Sequence, residues 1–278
     1  MNNKGLTGLI AAAAATLTSV ISVMAPASAA DFTWGNWNAT TSSVQSATTD
    51  TSGFQSLIPN FQQLVQPEGI ALQNLNKLDP TKLFLKSESN VRLWFLNEGA
   101  SYKNQLAYQA INGSQSQKGL IFEDASCKTG NLCEKASNDG ILNVGDYVDL
   151  GTIAGGTQIN FWLNADGANQ NRSFNNVYGA PDAANPDGLE HLVAYEYNGY
   201  LLIGFEDLYG SLGSTDGGNI SPTDRDFNDV VFVVDFGKDN ILTSSVPEPS
   251  TAAAMLGVGS IGMIKLRRRR QNKAEKSA

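Results

Sequence analysis

Apolar residues recur at two spacings along this chain, and the change of period divides it. Phe54, Leu57, Ile58, Phe61, Leu64 and Val65 fall three and four apart, which places them on one face of a helix. Pro59 would break a continuous helix but fits the first turn of one that starts near it, so one short helix packed on the sheet is expected. Later the pattern shortens to runs rich in β-branched and aromatic residues and bounded by Gly, Asn and Asp. Residues 91–96, 105–111, 141–150, 158–163, 190–197, 200–205 and 230–234 read as strands. Asn198-Gly199 joins two of them as a tight hairpin, because a type I′ turn needs positive φ at both central positions. Strands separated by glycine-rich turns predict an all-β fold: an antiparallel β-sandwich or jelly roll with a short N-terminal helical appendage.

Two apolar runs lie outside this pattern, one at each end. The first covers residues 9–23, after Lys4 and before Ala27-Ser28-Ala29, and marks a secretory signal peptide over 1–30. The second covers 252–264, after Pro247-Glu248-Pro249 and before Lys265, Arg267, Arg268, Arg269 and Arg270. Thirteen helical residues reach about 20 Å, short of a hydrocarbon core of about 30 Å, so flanking residues such as the stem of Lys265 must complete a span. The arginines would keep the tail cytoplasmic. Pro-Glu-Pro, apolar run and basic tail in that order resemble a PEP-CTERM sorting signal. That resemblance implies export by a Gram-negative-type bacterium, with signal peptidase and an exosortase as processing partners. It also implies transient anchoring in the cytoplasmic membrane, then release or transfer towards the cell surface; a permanent tail anchor is the alternative. The expected layout is a signal peptide (1–30), a polar N-terminal segment (31–80), a β domain (81–240), a linker with the Pro-Glu-Pro motif (241–249) and a sorting segment (250–278).

Removing both ends changes the charge. Residues 31–249 hold 11 Lys and Arg against 26 Asp and Glu, a net of −15, compared with −8 for the whole chain. A body this acidic repels nucleic acid and anionic membrane surfaces, and cations are its natural partners. Cys127 and Cys133 lie in CKTGNLC, and in an exported protein a disulfide closing that loop is favoured. Loop closure contributes about 2 kcal/mol in the chain-entropy picture. With His191 the single histidine, a zinc shell has too few ligands.

The candidate chemistry sits in residues 204–236. A loop broken by Gly210, Gly213, Gly217, Gly218 and Pro222 separates two apolar strands and carries Glu206, Asp207, Asp224, Asp226, Asn228 and Asp229. Crowded carboxylates repel unless a cation neutralises them or water reaches them. Calcium takes six to eight hard oxygen ligands, and side-chain oxygens at Asp224, Asp226 and Asn228, then Asp229, suit it as a structural cofactor. The pattern departs from an EF-hand, with Asp229 where glycine is required and a strand in place of the exiting helix. Asp235, six extended residues further on, would lie about 20 Å away and outside the site. FEDL followed by DRDFNDVVF resembles the C-terminal signature of the domain of unknown function 4114 family, with the resemblance extending from about Val91 to Phe236. It implies a β-rich exported domain and no proven activity. The compact form of that motif has a short glycine turn where this chain inserts residues 209–223. A solvated acidic turn, with Arg225 paired to a neighbouring carboxylate, is the alternative to calcium. Residues 164–176 could lend oxygen ligands from a neighbouring loop or serve as ordinary turn chemistry.

Three functions remain open. One is a non-enzymatic surface or matrix protein, stiffened by calcium and acting in adhesion or association with extracellular polysaccharide and biofilm. Another is a carbohydrate-binding module stacking sugars on Trp34, Trp37, Trp94 or Trp162, although Trp94 and Trp162 lie in strand-like runs that suit core packing. A glycoside-active enzyme needs two carboxylates at a set separation, which sequence does not give. The chain has no Gly-x-Ser-x-Gly elbow, phosphate-cradling loop or zinc motif, so no catalytic residue is assigned.

Overall fold

The structure, a computed structural model, describes residues 32–35, 43–65, 72, 75–130, 133–172 and 175–242. The expected signal peptide, Trp37, the Pro247-Glu248-Pro249 motif, the 252–264 run and the basic tail lie outside the described residues. Among the described residues one α-helix, α1 (Ile58–Val65), precedes the strands and has Pro59 in its first turn. The strands are β1 (Asn76–Leu78), β2 (Phe84–Leu85), β3 (Ser89–Asn97), β4 (Gln105–Asn112), β5 (Gln115–Phe122), β6 (Cys127–Lys128) and β7 (Ala136–Ser137). They continue as β8 (Tyr147–Ile153), β9 (Gln158–Asn164), β10 (Val177–Gly179), β11 (Leu192–Tyr197), β12 (Tyr200–Phe205), β13 (Val230–Asp235) and β14 (Ile241–Leu242).

Two antiparallel sheets pack as a sandwich. The first runs β1-β11-β12-β13-β3-β8; the second runs β14-β2-β9-β4-β5, with β10 also on β9. Phe95, Phe205, Phe232 and Val234 of the first sheet meet Leu106, Ile159, Phe161 and Leu163 of the second in the shared core. Phe161 and Phe232 touch edge to face, with ring centroids 5.1 Å apart. The outer face of the first sheet is not left to water. Trp94, Val231, Val233 and Leu202 are covered by Phe54, Ile58, Phe61 and Val65, and Phe54 stacks on Trp94 at 4.1 Å. Burial on both faces explains why β13 reads as an unbroken apolar run instead of an alternating one. Phe32 likewise stacks on Trp162 at 4.4 Å, across the outer face of the second sheet.

The Asn198-Gly199 hairpin forms with φ of 54° and 82°, and Tyr197 pairs with Tyr200 across it. The expected strand at 141–150 is corrected: Leu142 makes only an isolated bridge to Cys127, and ladder pairing begins at Tyr147. Ahead of it Asn143 donates through its backbone and its side-chain amide to Asp146 Oδ2, Gly145 turns at φ 89°, and Ile141 is exposed. A local side-chain bond here wins over extended pairing. Cys127 and Cys133 form a disulfide. Among the described residues no helix is long and apolar enough to cross a membrane.

Candidate metal centre

The acidic loop lies where β12 ends and β13 begins, at one pole of the sandwich. Backbone bonds fix this junction: Asp229 N donates to Phe205 O, and Glu206 N donates to His191 O. The 209–223 insertion folds back on itself. Gly213 N donates to Thr223 O, Thr223 N donates to Ser214 O, and Asn219 bonds the backbone of Tyr209 in both directions. Tyr102 pins the far side, donating its hydroxyl to Gly218 O and accepting from Ile220 N. Residues far apart in sequence therefore meet in space. Thr223 Oγ1 donates to Glu206 Oε1 at 2.8 Å.

Glu206, Asp226 and Asp229 each present a carboxylate oxygen to one point, with those atoms within 4.8 Å of one another. Glu206 is fully buried, and its Oε2 has no hydrogen-bond partner. Asp226 is half-buried and accepts from Asn228 N at 3.1 Å. It is flanked by Arg225 and Phe227, both in left-handed conformation with φ of 56° and 61°. Side chains adopt that region at a cost, and here the guanidinium of Arg225 over the Phe227 ring at 5.0 Å helps to hold it.

The other expected ligands turn elsewhere. Asp207 is buried and accepts from Asn104 Nδ2 at 2.7 Å, while its backbone N–H donates to Asp229 Oδ2. Asn228 is buried with its amide nitrogen on Glu134 Oε2. Asp224 is exposed. Arg225 donates to the carbonyl of Glu190. Asp166, in the 164–176 loop, spends one oxygen on Lys103 N and the other on Asn169, as a turn residue does. Asp235 stands at the opposite end of β13.

The electrostatics follow from burial. Removal from water pushes the carboxyls of Glu206, Asp207 and Asp229 above their ordinary range, and the negative neighbours push the same way. Hydrogen bonds from Thr223, Asn104 and the Asp207 amide oppose this but do not cancel it. Such a cluster gains from a proton or from a metal cation at its centre. His191, fully buried and stacked on Tyr178 at 3.7 Å, supports the floor with Nδ1 2.8 Å from Glu206 O and Nε2 2.9 Å from Asp187 Oδ2.

Sequence reading passed over Thr223, Asn104, Tyr102 and Glu134, which shape this pole. Only Thr223 carries a signal, as a hydroxyl directly before the acidic run; Asn104 and Glu134 are ordinary loop polars until the fold juxtaposes them.

The family model described as domain of unknown function (DUF4114) matches residues 153–237, and the PEP-CTERM protein-sorting motif matches 245–270. The first match takes in β9 to β13 with the acidic loop; it starts well after Val91. No curated protein and no solved structure matches the chain.

Proposed function

We propose, for an exported chain whose exosortase-processing motif follows a DUF4114 domain, that the acidic pole binds one structural calcium ion through Glu206, Asp226 and Asp229. The observation that carries this is the buried, unpartnered Oε2 of Glu206 beside two further carboxylates. An acceptor removed from water and given no donor costs free energy, and a hard cation recovers it. Three carboxylates offer up to six oxygens, and water or backbone carbonyls would complete a calcium shell. The ion adds no reactive chemistry in this role. It neutralises the pole and fixes the end of the long insertion.

A calcium-stiffened, strongly acidic body suits a non-enzymatic surface or matrix protein that associates with extracellular polysaccharide. Extracellular calcium modules bind at about 0.1 to 1 mM, matched to the surroundings of an exported domain. In this reading the acids serve binding, and burial of Glu206 and Asp229 disfavours them as a glycosidase pair. The carbohydrate-module alternative loses two of its stacking platforms, since Trp94 is buried with its N–H on Asp50 and Trp162 is covered by Phe32.

Thermal unfolding tests the ion. Calcium at 100 times its dissociation constant adds about 2.7 kcal/mol to stability, so the midpoint should rise by several degrees and fall again with chelator. Asp226→Asn, which keeps the oxygen that accepts from Asn228 N, should abolish that rise while leaving the chelated midpoint nearly unchanged. A wild-type midpoint indifferent to millimolar calcium would remove the basis of this reading.

A further inference from the structure

Asn228 sits between Asp226 and Asp229, but its side chain turns away from the ion position. Its Nδ2 donates to Glu134 Oε2 at 3.0 Å, and its carbonyl accepts from Gly99 N at 3.0 Å and Asn97 Nδ2 at 3.4 Å. Asn97 is itself oriented by Glu134, whose backbone N–H donates to Asn97 Oδ1 at 3.1 Å. Glu134 thus grips Asn228 twice, once directly and once through Asn97. The fit leaves no slack, since a Cβ on Gly99 would overlap Asn228 Oδ1.

Glu134 directly follows Cys133, whose partner Cys127 is fully buried and donates its backbone N–H to the Glu98 carboxylate. Lys135 N donates to Glu98 O at 2.9 Å. Both ends of the disulfide-closed loop therefore clasp the 97–99 segment that holds Asn228. We infer that Glu134 is a positioning residue for the cation loop and that the Cys127–Cys133 disulfide, by holding Glu134 in place, makes the geometry at Asp226 and Asp229 sensitive to redox state. Cys133 is only partly buried, which gives a small dithiol access. Two-electron reduction would break the sulfur–sulfur bond, leave two protonated thiols and convert the dithiol into its cyclic disulfide. The 127–133 loop is then no longer closed, and Asn228 loses its side-chain anchor.

The ligand identity rests on the calcium reading, but the positioning does not, so two readouts keep them apart. Amide hydrogen exchange across residues 226–229 is measured without calcium in the oxidised protein, the dithiol-reduced protein, Glu134→Leu and Glu134→Gln. Calcium affinity is measured on the same four by calorimetry. Exchange should be several-fold faster in the reduced protein and in Glu134→Leu, while Glu134→Gln, which keeps an acceptor oxygen for Asn228 Nδ2, should behave as wild type. Calcium affinity should weaken several-fold in the same two forms. Unchanged exchange in either the reduced protein or Glu134→Leu overturns the inference. Heatless calcium titrations in all four, with exchange altered as expected, would sink only the metal reading.

Discussion

Glu98 follows β3 beneath the disulfide loop, and its buried carboxyl is pushed up to about 8. Burial is the main cause, the hydrogen bond from Cys127 N opposes it, and the charges of Asp124, Asp207 and Asp139 add to it. A value raised above that of the unfolded chain means that the folded form holds the extra proton. This contribution to stability is therefore fully present below about pH 4.3 and is lost as pH rises towards about 8. Glu98→Gln keeps an oxygen for Cys127 N and removes the titration. In urea unfolding, wild type should lose stability relative to Glu98→Gln between about pH 5 and about pH 8, and the gap should be flat below that range. A gap independent of pH would show that Glu98 ionises as freely as in the unfolded chain. Residues of this kind were the least legible in the sequence. Charge density marked Glu206, Asp226 and Asp229, but equally Asp224, which is exposed, because spacing along a loop does not say which way a side chain turns. Asn228 looked like a ligand for the same reason, and only the approach of Gly99 and Glu134 makes it an anchor.

Elements were easier to read where burial imposes composition. β3, β9, β11, β12 and β13 all show as apolar runs, because each contributes to the core of the sandwich. β5 escaped because it begins Gln115-Ser116-Gln117, exposed polar residues on the edge of a sheet, where no core demands apolar character. β1, β2, β10 and β14 are two or three residues long and carry too little pattern for any periodicity. The Asn198-Gly199 turn was legible from two residues alone, and it makes a direct prediction. Gly199 has φ of 82°, and an added Cβ meets only Lys238, at ordinary contact distance, so the cost of Gly199→Ala is conformational. It should lower unfolding free energy by about 1 kcal/mol, read as a shift of the urea midpoint at constant slope. No shift would mean that the turn relaxes to another type without loss.

At the scale of the molecule, the helical appendage is part of the folded unit. Phe54 and Phe61 are fully buried and cover the outer face of the sheet that carries β13, and the same segment brings Asp50 to Arg92 and Trp94. Phe54→Ala should cost about 3 to 5 kcal/mol, and unfolding followed by tryptophan fluorescence and by far-ultraviolet dichroism should remain one coincident transition. Two separated transitions would instead make the N-terminal segment an independent layer. Most of the long strands, the sorting motif and a short helix packed on the sheet were foreseen; which sheet face the helix covers was not, since helical spacing predicts an amphipathic face and not the surface that receives it.

Strand β13 starts beside the acidic corner and ends at Asp235, about 20 Å further on, where the chain turns through Gly237 into β14 and leaves at Leu242 towards the sorting motif. Leu242, the last described residue, and the corner thus lie towards opposite ends of the sandwich. A cut anywhere beyond Leu242 would therefore remove no residue of that corner.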